Sequence, residues 1–193
     1  TETMDFSHRD PLDGVDPQFV QRWSPRAFEP GSLAPGQTER LIDAARWAPS
    51  CFNEQPWRFY LSTEQTFEEY LALLVDANQA WARNASVIGF LVGRSRFRRN
   101  DKPNDFSEFD CGAAWMSLCL QARAEGLYTH GMAGIDKPGI ADYLGLETNA
   151  DKVIMGFAIG RIGDPADLEE GMRDREVPSP RLALDDIWLA GRE

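Results

Sequence analysis

The chain has 193 residues, of which 42% are apolar, and a formal net charge of −11 at pH 7. This length is enough for one full-sized hydrophobic core, so we expect a single domain over residues 1–193. The charge argues against a nucleic acid or an anionic membrane surface as a partner, because a polyanion meets net repulsion before any local contact forms.

The sequence favours a location in the cytoplasm. The longest apolar run, residues 85–93, is about half as long as a membrane-spanning helix. Residues 1–10 lack the apolar stretch of a signal peptide. Cys51, Cys111 and Cys119 are an odd set and imply no disulfide framework. We therefore expect a cytoplasmic protein with no membrane partner.

The first half of the chain predicts two helices and one strand. Apolar residues at helical spacing predict a helix over residues 35–48, which Pro49 ends. Strict alternation predicts a half-buried strand over residues 57–62. One apolar stripe predicts a second helix over residues 64–78.

The second half predicts the centre of a sheet. Uniformly apolar stretches at residues 87–92 and 153–159 are typical of strands that are covered on both faces. Between them, Asp110 is the predicted N-cap of a helix that ends at Gly126 and is apolar nearly all round. A short helix is predicted from Asp136 through Leu144. These elements predict a three-layer α+β sandwich around one small sheet.

Several common chemistries have no support in the sequence. The only histidines, His8 and His130, lie far apart, and no cysteine or carboxylate stands near them at metal-ligand spacing. A hydrolytic triad needs one of the same two histidines. There is no phosphate-loop motif and no glycine fingerprint of a dinucleotide-binding fold. We expect neither a metal site nor a Rossmann dehydrogenase.

Residues 22–28, RWSPRAF, bring two arginines and a serine close together in the sequence. Arg22, Ser24 and Arg26 occupy alternate positions, so in an extended segment their side chains point to one side. Two guanidiniums and a hydroxyl can clamp a phosphate through charge-assisted hydrogen bonds. A solvated basic arm explains the same residues equally well.

A second polar segment, residues 49–57, reads PSCFNEQPW. Asn53 and Gln55 carry both donors and acceptors, between Pro49 and Pro56. Amides of this kind suit the edge of a planar heteroaromatic ring. They can also satisfy backbone groups of the loop itself, and the spacing leaves both interpretations open.

In this order and at this distance, the two stretches resemble the signature of the nitroreductase superfamily of FMN enzymes. The pattern is R-x-S-x-R-x-F, a helix ending in A-P-S, then N-x-Q-P-W and a strand. The resemblance continues through NQAWARNAS, GAAWMSLCLQARAEGL, GMAGID and PSPRLALDDI, at residues 78–86, 112–127, 131–136 and 178–187. It covers nearly the whole chain after residue 20.

The resemblance implies a fold and an assembly. The fold is α+β, a three-layer α-β-α sandwich with a central, mostly antiparallel sheet. The assembly is a domain-entwined homodimer with two FMN sites at the subunit interface, each built by both chains. Residues 1–20 form an N-terminal arm, and residues 161–193 form a tail that wraps the partner subunit.

The resemblance also implies which residues bind FMN. They are Arg22, Trp23, Ser24, Arg26, Ser50, Cys51, Asn53, Gln55, Asn78, Met132, Ala133, Gly134 and Arg181. The three arginines and Ser24 hold the phosphate and the ribityl chain. The residues between 50 and 55 approach the flavin from the second subunit, and Asn78 bonds its pyrimidine edge. Met132, Ala133 and Gly134 lie along the ring, with a backbone N–H there bonded to flavin N5.

The implied reaction is ping-pong transfer of hydride from NAD(P)H, the co-substrate, through flavin N5 to a small-molecule acceptor. The acceptor is a nitroaromatic, a quinone or a similar two-electron oxidant. No catalytic side chain is expected, because the flavin carries the chemistry. Two alternatives remain: a non-catalytic flavin-binding or storage dimer of the same fold, and a thiol enzyme that uses Cys51.

Three features depart from the family pattern. The tail has Ser179 where some relatives have a second cation. Trp81 stands near a position where relatives frequently have a basic residue, so fewer donors are expected at the polar edge of the ring. Residues 94–109 contain Arg94, Arg96, Arg98 and Arg99 around Phe97. Some of these arginines are predicted to attract the phosphates of NAD(P)H or an acidic substrate, and a solvated loop is the alternative.

Overall fold

The computed structural model of the chain describes residues 4–191. Its strands are β1 (Phe28–Glu29), β2 (Trp57–Leu61), β3 (Val87–Arg94), β4 (Tyr128–Met132) and β5 (Asp151–Ile162). Its helices are α1 (Pro17–Gln21), α2 (Gln37–Arg46), α3 (Phe67–Ala72), α4 (Asp76–Ala82), α5 (Ser107–Ala124), α6 (Lys137–Leu144), α7 (Glu170–Arg173) and α8 (Leu184–Ile187). Two single 3₁₀ turns are Cys51–Asn53 and Pro165–Asp167.

Strand β5 is the centre of the sheet. It pairs with β3 along one edge, with β4 along the other, and with β1 near its own end. Strand β2 pairs with β3 on the side away from β5. Each of these pairings is antiparallel. The mostly antiparallel sheet implied by the resemblance is therefore confirmed.

The side chains of β3 alternate between two hydrophobic clusters. Ile88, Phe90 and Val92 pack with apolar residues of α3, α4 and α6 on one face of the sheet. Val87 and Leu91 pack with apolar residues of α2 and α5 on the other face. Each of these side chains is at most 8% exposed, and burial of one such side chain contributes about 1.5–3 kcal/mol to folding. The three-layer α-β-α sandwich is confirmed.

The predicted helix over residues 64–78 is wrong in one respect, because the structure divides it into α3 and α4. Between them Leu74 forms a β-bridge with Ile135, and the Val75 N–H donates to the carbonyl of Gly134 at 3.1 Å. This pairing with a distant segment extends the backbone and interrupts the helix. The break brings Asn78, in the first turn of α4, beside Gly134.

Asp110 is not the N-cap of α5. The helix begins at Ser107, and Asp110 lies buried within its first turns. Its Oδ2 accepts a hydrogen bond of 3.0 Å from the Cys51 N–H. A contact with a distant loop therefore uses the carboxylate that the sequence assigned to capping. The predicted end of α5 at Gly126, which has φ +74°, and the predicted N-cap of α6 at Asp136 are both confirmed.

The arm and the tail are both attached to the body of the chain. Strand β5 continues to Ile162, which pairs with Phe28, so the segment that leaves the sheet begins later than residue 161. Leu168 and Glu176 are buried, whereas residues 179–191 are exposed. The parts of the arm and tail at residues 1–3 and 192–193 lie outside the described residues. Within residues 4–191, no helix is long and apolar enough to cross a membrane.

Candidate functional site

A cavity of about 300 Å³ opens between the N-terminal arm, β4 and the C-terminal segment. Its lining residues are Arg9, Arg22, Trp23, Ser24, Arg26, His130, Arg175, Val177, Ser179 and Arg181. Five of these residues are ones that the resemblance assigned to the cofactor. The cavity therefore joins residues that are more than 150 positions apart in the sequence.

Side chains at residues 22–26 alternate between the cavity and the protein interior, as predicted, although the segment is not a β-strand. Arg22, Ser24 and Arg26 are half-buried and line the cavity, while the residues between them are buried. Trp23 packs edge to face against Tyr128 of β4, with the ring centroids 6.2 Å apart. The buried residues fix the segment on the sheet, so the two arginines and the serine share one side.

Five arginines line the cavity: Arg9, Arg22, Arg26, Arg175 and Arg181. Within the described residues 4–191, none of the five forms an ion pair with an acidic side chain. Burial lowers the pKa of Arg22, and the neighbouring positive charge of Arg181 lowers it further. The pKa of Arg9 is lowered by burial and by Arg181 and Arg22. The cluster is thus partly desolvated and self-repelling, which favours a bound anion.

Arg9 joins the arm to the tail at the edge of this cavity. Its Nη1 donates to the carbonyl of Arg22 at 2.9 Å and also to the carbonyl of Val20. Its Nε donates to the carbonyl of Ser179 at 3.0 Å. Arg9 is therefore committed largely to backbone oxygens, and it holds the segments that carry Arg22 and Arg181 near one another.

Glu176 makes the second connection between the tail and the arginine segment. Its Oε1 accepts hydrogen bonds from the backbone N–H groups of Arg26, at 2.6 Å, and Ala27, at 2.8 Å. The side chain is buried, and its Oε2 has no partner within residues 4–191. Burial raises the pKa of Glu176, and the two N–H donors oppose that rise.

His130 and Trp23 contribute neutral groups to the cavity. The carbonyl of Pro25 can only accept, so His130 donates to it from Nδ1, at 2.9 Å. Burial lowers the pKa of His130 to about 4, so the ring is neutral at pH 7 with Nε2 as an acceptor. Trp23 is 4% exposed, and its Nε1–H has no partner within residues 4–191. A buried donor beside a cavity is expected to find one in a ligand or water.

Trp81 packs against His130, one of the residues that line the cavity. It is 2% exposed, stacks on Phe28 with the centroids 6.1 Å apart, and lies 4.6 Å from the ring of His130. Trp81 is therefore a core residue. At this position, where the resemblance led us to expect fewer donors for the ring, the side chain is part of the hydrophobic core.

A second group of the predicted residues meets at the end of β4. The Asn78 Nδ2 donates to the carbonyl of Gly134 at 2.9 Å. A Cβ atom on Gly134 would lie 2.7 Å from both that nitrogen and Val75 Cγ2, so a side chain there would force Asn78 or Val75 to shift. Met132 is buried and Ala133 is exposed. These residues do not line the arginine cavity.

The third group, residues 50–55, forms a strained loop. Phe52, Asn53 and Gln55 all have positive φ, at +52°, +55° and +50°. The Gln55 N–H donates to Ser50 Oγ at 3.0 Å, and Gln55 Nε2 donates to the Asn53 carbonyl at 2.8 Å. The amide of Gln55 thus serves the loop itself, as one interpretation of the sequence allowed. The side chain of Asn53 is exposed and has no hydrogen-bond partner within residues 4–191.

The arginines of residues 94–99 have separate roles. Arg96 pairs with Asp101, and Arg98 pairs with Glu54. Arg94 is half-buried, and its Nε has no partner within residues 4–191. The guanidinium of Arg99 lies over the ring of Phe52, with its Cζ 3.9 Å from the ring centroid. The loop is therefore ordered by its own contacts and is more than a solvated basic segment.

Sequence reasoning missed Arg9, Arg175, Val177 and the position of His130 in the cavity, and it noted Ser179 only as a departure from the family pattern. These residues come from the arm, the segment after α7 and strand β4, and no spacing rule connects them.

Comparison with known proteins gives consistent matches. The sequence model of the Nitroreductase family matches residues 19–87 and 63–161. The putative NAD(P)H nitroreductase YdgI of Bacillus subtilis (strain 168) is 25% identical over 198 residues, which cover 84% of this chain and 92% of YdgI. The CLA biosynthesis enone reductase of Lactiplantibacillus plantarum is 27% identical over 180 residues, with 74% and 83% covered.

Solved structures agree with these sequence matches. A crystal structure described as an oxidoreductase containing FMN has a TM-score of 0.90 and 40% identity, and 95% of each chain is covered. A putative nitroreductase from Exiguobacterium sibiricum 255-15, solved in complex with FMN, has a TM-score of 0.74 and covers 99% of each chain. The second structure is 23% identical, so it supports the fold alone.

Proposed function

This chain belongs to the nitroreductase family, and from that premise we propose that it is an FMN-dependent oxidoreductase that uses NAD(P)H. We propose one nitroreductase-like domain over residues 1–193. The electron acceptor is a small molecule: a nitroaromatic, a quinone or a similar two-electron oxidant. The cytoplasmic location expected from the sequence remains a prediction.

The observation that carries the proposal is the arginine cavity. The phosphate of FMN has nearly two negative charges at neutral pH, and an acidic protein attracts such a group only where cations are concentrated. Arg22 and Arg26 line the cavity without any carboxylate partner within residues 4–191. The residues present therefore fit a phosphate monoester.

The flavin ring is assigned to the two other groups of residues. Asn78 is half-buried and its Nδ2 donates to the Gly134 carbonyl, so we assign its Oδ1 to the pyrimidine edge of the ring. The exposed Asn53, from the strained loop of a second subunit, supplies a further amide. The Gln55 amide is used within its loop, so we assign Gln55 to shaping the loop that carries Ser50 and Cys51.

When bound, FMN would supply the redox chemistry, carrying two electrons from NAD(P)H to the acceptor in ping-pong order. The residues of this chain bind and orient the cofactor. Arg22, Ser24 and Arg26 hold the phosphate, and Asn78 and Gly134 position the ring. No side chain is assigned to proton transfer.

We further propose a homodimer that completes each site. Large apolar side chains stand in solvent on the single chain: Phe109 of α5 is 77% exposed, and Trp188 and Leu189 of the tail are 77% and 75% exposed. Soluble proteins rarely leave such groups uncovered unless they form an interface. In a two-fold dimer the tail of one subunit covers the body of the other.

The proposal is tested first on the purified protein. We expect a yellow protein with FMN and a dimer mass in sedimentation equilibrium. Anaerobic addition of NADH or NADPH should bleach the flavin band, and a quinone or nitroaromatic should restore it. A protein that binds no FMN contradicts the proposal. A protein that binds FMN but is not reduced by either nicotinamide is a flavin-binding dimer without turnover, and it contradicts the enzymatic part.

A further inference from the structure

Phe52, Phe97 and Arg99 form a surface cluster, here called the aromatic–arginine cluster. The Arg99 Cζ lies 3.9 Å from the centroid of the Phe52 ring and 5.5 Å from that of Phe97. The two rings meet edge to face with centroids 5.9 Å apart. Phe52 is 67% exposed. The cluster thus offers aromatic surface and a cation side by side.

A buried carboxylate holds the two loops of this cluster together. Glu54 is 7% exposed, and its Oε2 accepts hydrogen bonds from the Arg98 backbone N–H at 2.9 Å and from Arg98 Nε at 3.4 Å. The pKa of Glu54 is lowered, mainly by the hydrogen bond from the backbone N–H of Arg98. Glu54 and Arg98 are therefore committed to structure, and they place Arg99 over Phe52.

Arg99 is the exposed arginine of this loop that pairs with no carboxylate among residues 4–191. Arg96 donates to the Asp101 carbonyl at 2.6 Å and pairs with its carboxylate. Arg94 is half-buried. Arg99 is exposed, and within residues 4–191 its side chain forms neither a hydrogen bond nor an ion pair. A guanidinium that stacks on a ring keeps its N–H edge free for a carboxylate.

The backbone indicates that Phe52 is placed for more than folding. Its φ of +52° lies in the left-handed region, which is unfavourable by about 1–2 kcal/mol for a residue with a bulky side chain. The strain directs an aromatic side chain toward solvent instead of into the core. Strained residues of this kind concentrate at functional sites.

We propose that the aromatic–arginine cluster selects electron acceptors that are planar, aromatic and anionic, with Arg99 binding the acceptor's carboxylate or an equivalent group. The inference rests on the proposed function, because that function places Cys51 and Asn53, the neighbours of Phe52, at the flavin. In a chain of net charge −11, an anionic acceptor is repelled unless a local cation attracts it. Phe52 and Phe97 contact the aromatic body.

4-Nitrobenzoate and its methyl ester are matched probes, because only the first carries a negative charge. In each case the nitro group gains a hydride and a proton and loses water to give the nitroso product, while NAD(P)H is oxidised to NAD(P)⁺. Stopped-flow measurements separate the reduction of the enzyme by NAD(P)H from its reoxidation by the acceptor.

Arg99→Ala should lower kcat/KM for 4-nitrobenzoate by about 10- to 100-fold, as expected for loss of a charge-assisted hydrogen bond. The value for the methyl ester and the rate of reduction by NAD(P)H should change by less than about twofold. Arg99→Lys keeps the charge and should retain part of the preference. Arg83→Ala removes an exposed arginine outside the cluster and should leave both acceptors unaffected.

An equal loss for the two acceptors, or an unchanged ratio between them, overturns the proposal. So does a slower reduction by NAD(P)H with unaltered reoxidation, because that result assigns Arg99 to the nicotinamide cofactor. Failure of the proposed function is recognised earlier, since the wild-type protein then lacks FMN or is not reduced by NAD(P)H before any acceptor is added.

Discussion

Glu176 and Arg26 lie 150 residues apart in the chain, and the Glu176 carboxylate accepts a hydrogen bond of 2.6 Å from the Arg26 backbone N–H. The same oxygen accepts from the next N–H, that of Ala27, at 2.8 Å. Arg175 and Val177, the neighbours of Glu176, line the arginine cavity, as do Ser179 and Arg181. This one carboxylate therefore positions the tail against the arginine segment.

Loss of the Glu176 carboxylate should weaken both the fold and FMN binding. Glu176→Ala leaves two backbone donors without an acceptor, so we expect the free energy of unfolding to fall by about 1–3 kcal/mol. Glu176→Gln keeps an acceptor oxygen and should lose less. Urea unfolding and FMN titration measure the two effects. If Glu176→Ala matches the wild type in both, the tail is held by other contacts.

The raised pKa of Glu176 predicts a specific pH dependence. The folded state binds this proton more tightly than the unfolded state does, so its contribution to stability is complete below the ordinary pKa of 4.5 and is lost as the pH rises through the higher folded value. Glu176→Gln cannot ionise and lacks this loss. The difference in Tm between the wild type and Glu176→Gln should therefore change steadily in favour of the variant as the pH rises above 4.5. A constant difference contradicts the raised pKa.

Arg22 should contribute to the affinity for FMN through the phosphate alone. Arg22→Ala removes a guanidinium from the cavity and should raise the Kd for FMN by about 10- to 100-fold. Riboflavin has the same ring and no phosphate, so its Kd should hardly change. Fluorescence titration with both ligands makes the comparison, and Arg83→Ala is the control for loss of one positive charge. A parallel loss for both ligands shows that Arg22 shapes the site without binding phosphate.

Asn53 should contact the flavin through its side chain. Asn53→Ala removes the amide and should raise the Kd for FMN by about 2- to 10-fold, the range expected for one neutral hydrogen bond. Because Asn53 has φ +55°, Asn53→Gly is the matched variant that removes the amide and relieves the backbone strain. Both variants should bind FMN more weakly. If Asn53→Gly binds FMN like the wild type, the conformation of the loop matters and the amide does not.

Gly134 should not tolerate a side chain. A Cβ there would lie 2.7 Å from Asn78 Nδ2 and from Val75 Cγ2, so Gly134→Ala should lower the free energy of unfolding by about 1–3 kcal/mol and reduce flavin occupancy. The control is Gly131→Ala, whose Cβ meets the flexible end of Met155 at 3.0 Å. Thermal unfolding and the flavin absorbance per chain report the two effects. Equal behaviour of the two variants would show that the backbone near Gly134 can move.

The sequence alone predicted the elements whose signals are local. The buried strands β3 and β5 were visible as apolar runs, and helix α6 was visible from Asp136 and its proline. Alternation at residues 22–26 predicted that two arginines and a serine share one side, because the period of an extended chain is set by backbone geometry. The order of the polar motifs identified the family before any contact was known.

The tertiary structure decided what depends on contacts between distant segments. The β-bridge between Leu74 and Ile135 separates α3 from α4. Asp110 accepts a hydrogen bond from the Cys51 N–H and does not cap α5. Arg9, Arg175 and His130 joined the arginine cavity only because the arm, β4 and the tail converge there. Arg98 pairs with Glu54, whereas Arg99 stays exposed, although nothing in the sequence distinguishes these two adjacent arginines. Hydrogen bonds and ion pairs of this kind are chosen by proximity in the folded chain, which no local pattern encodes.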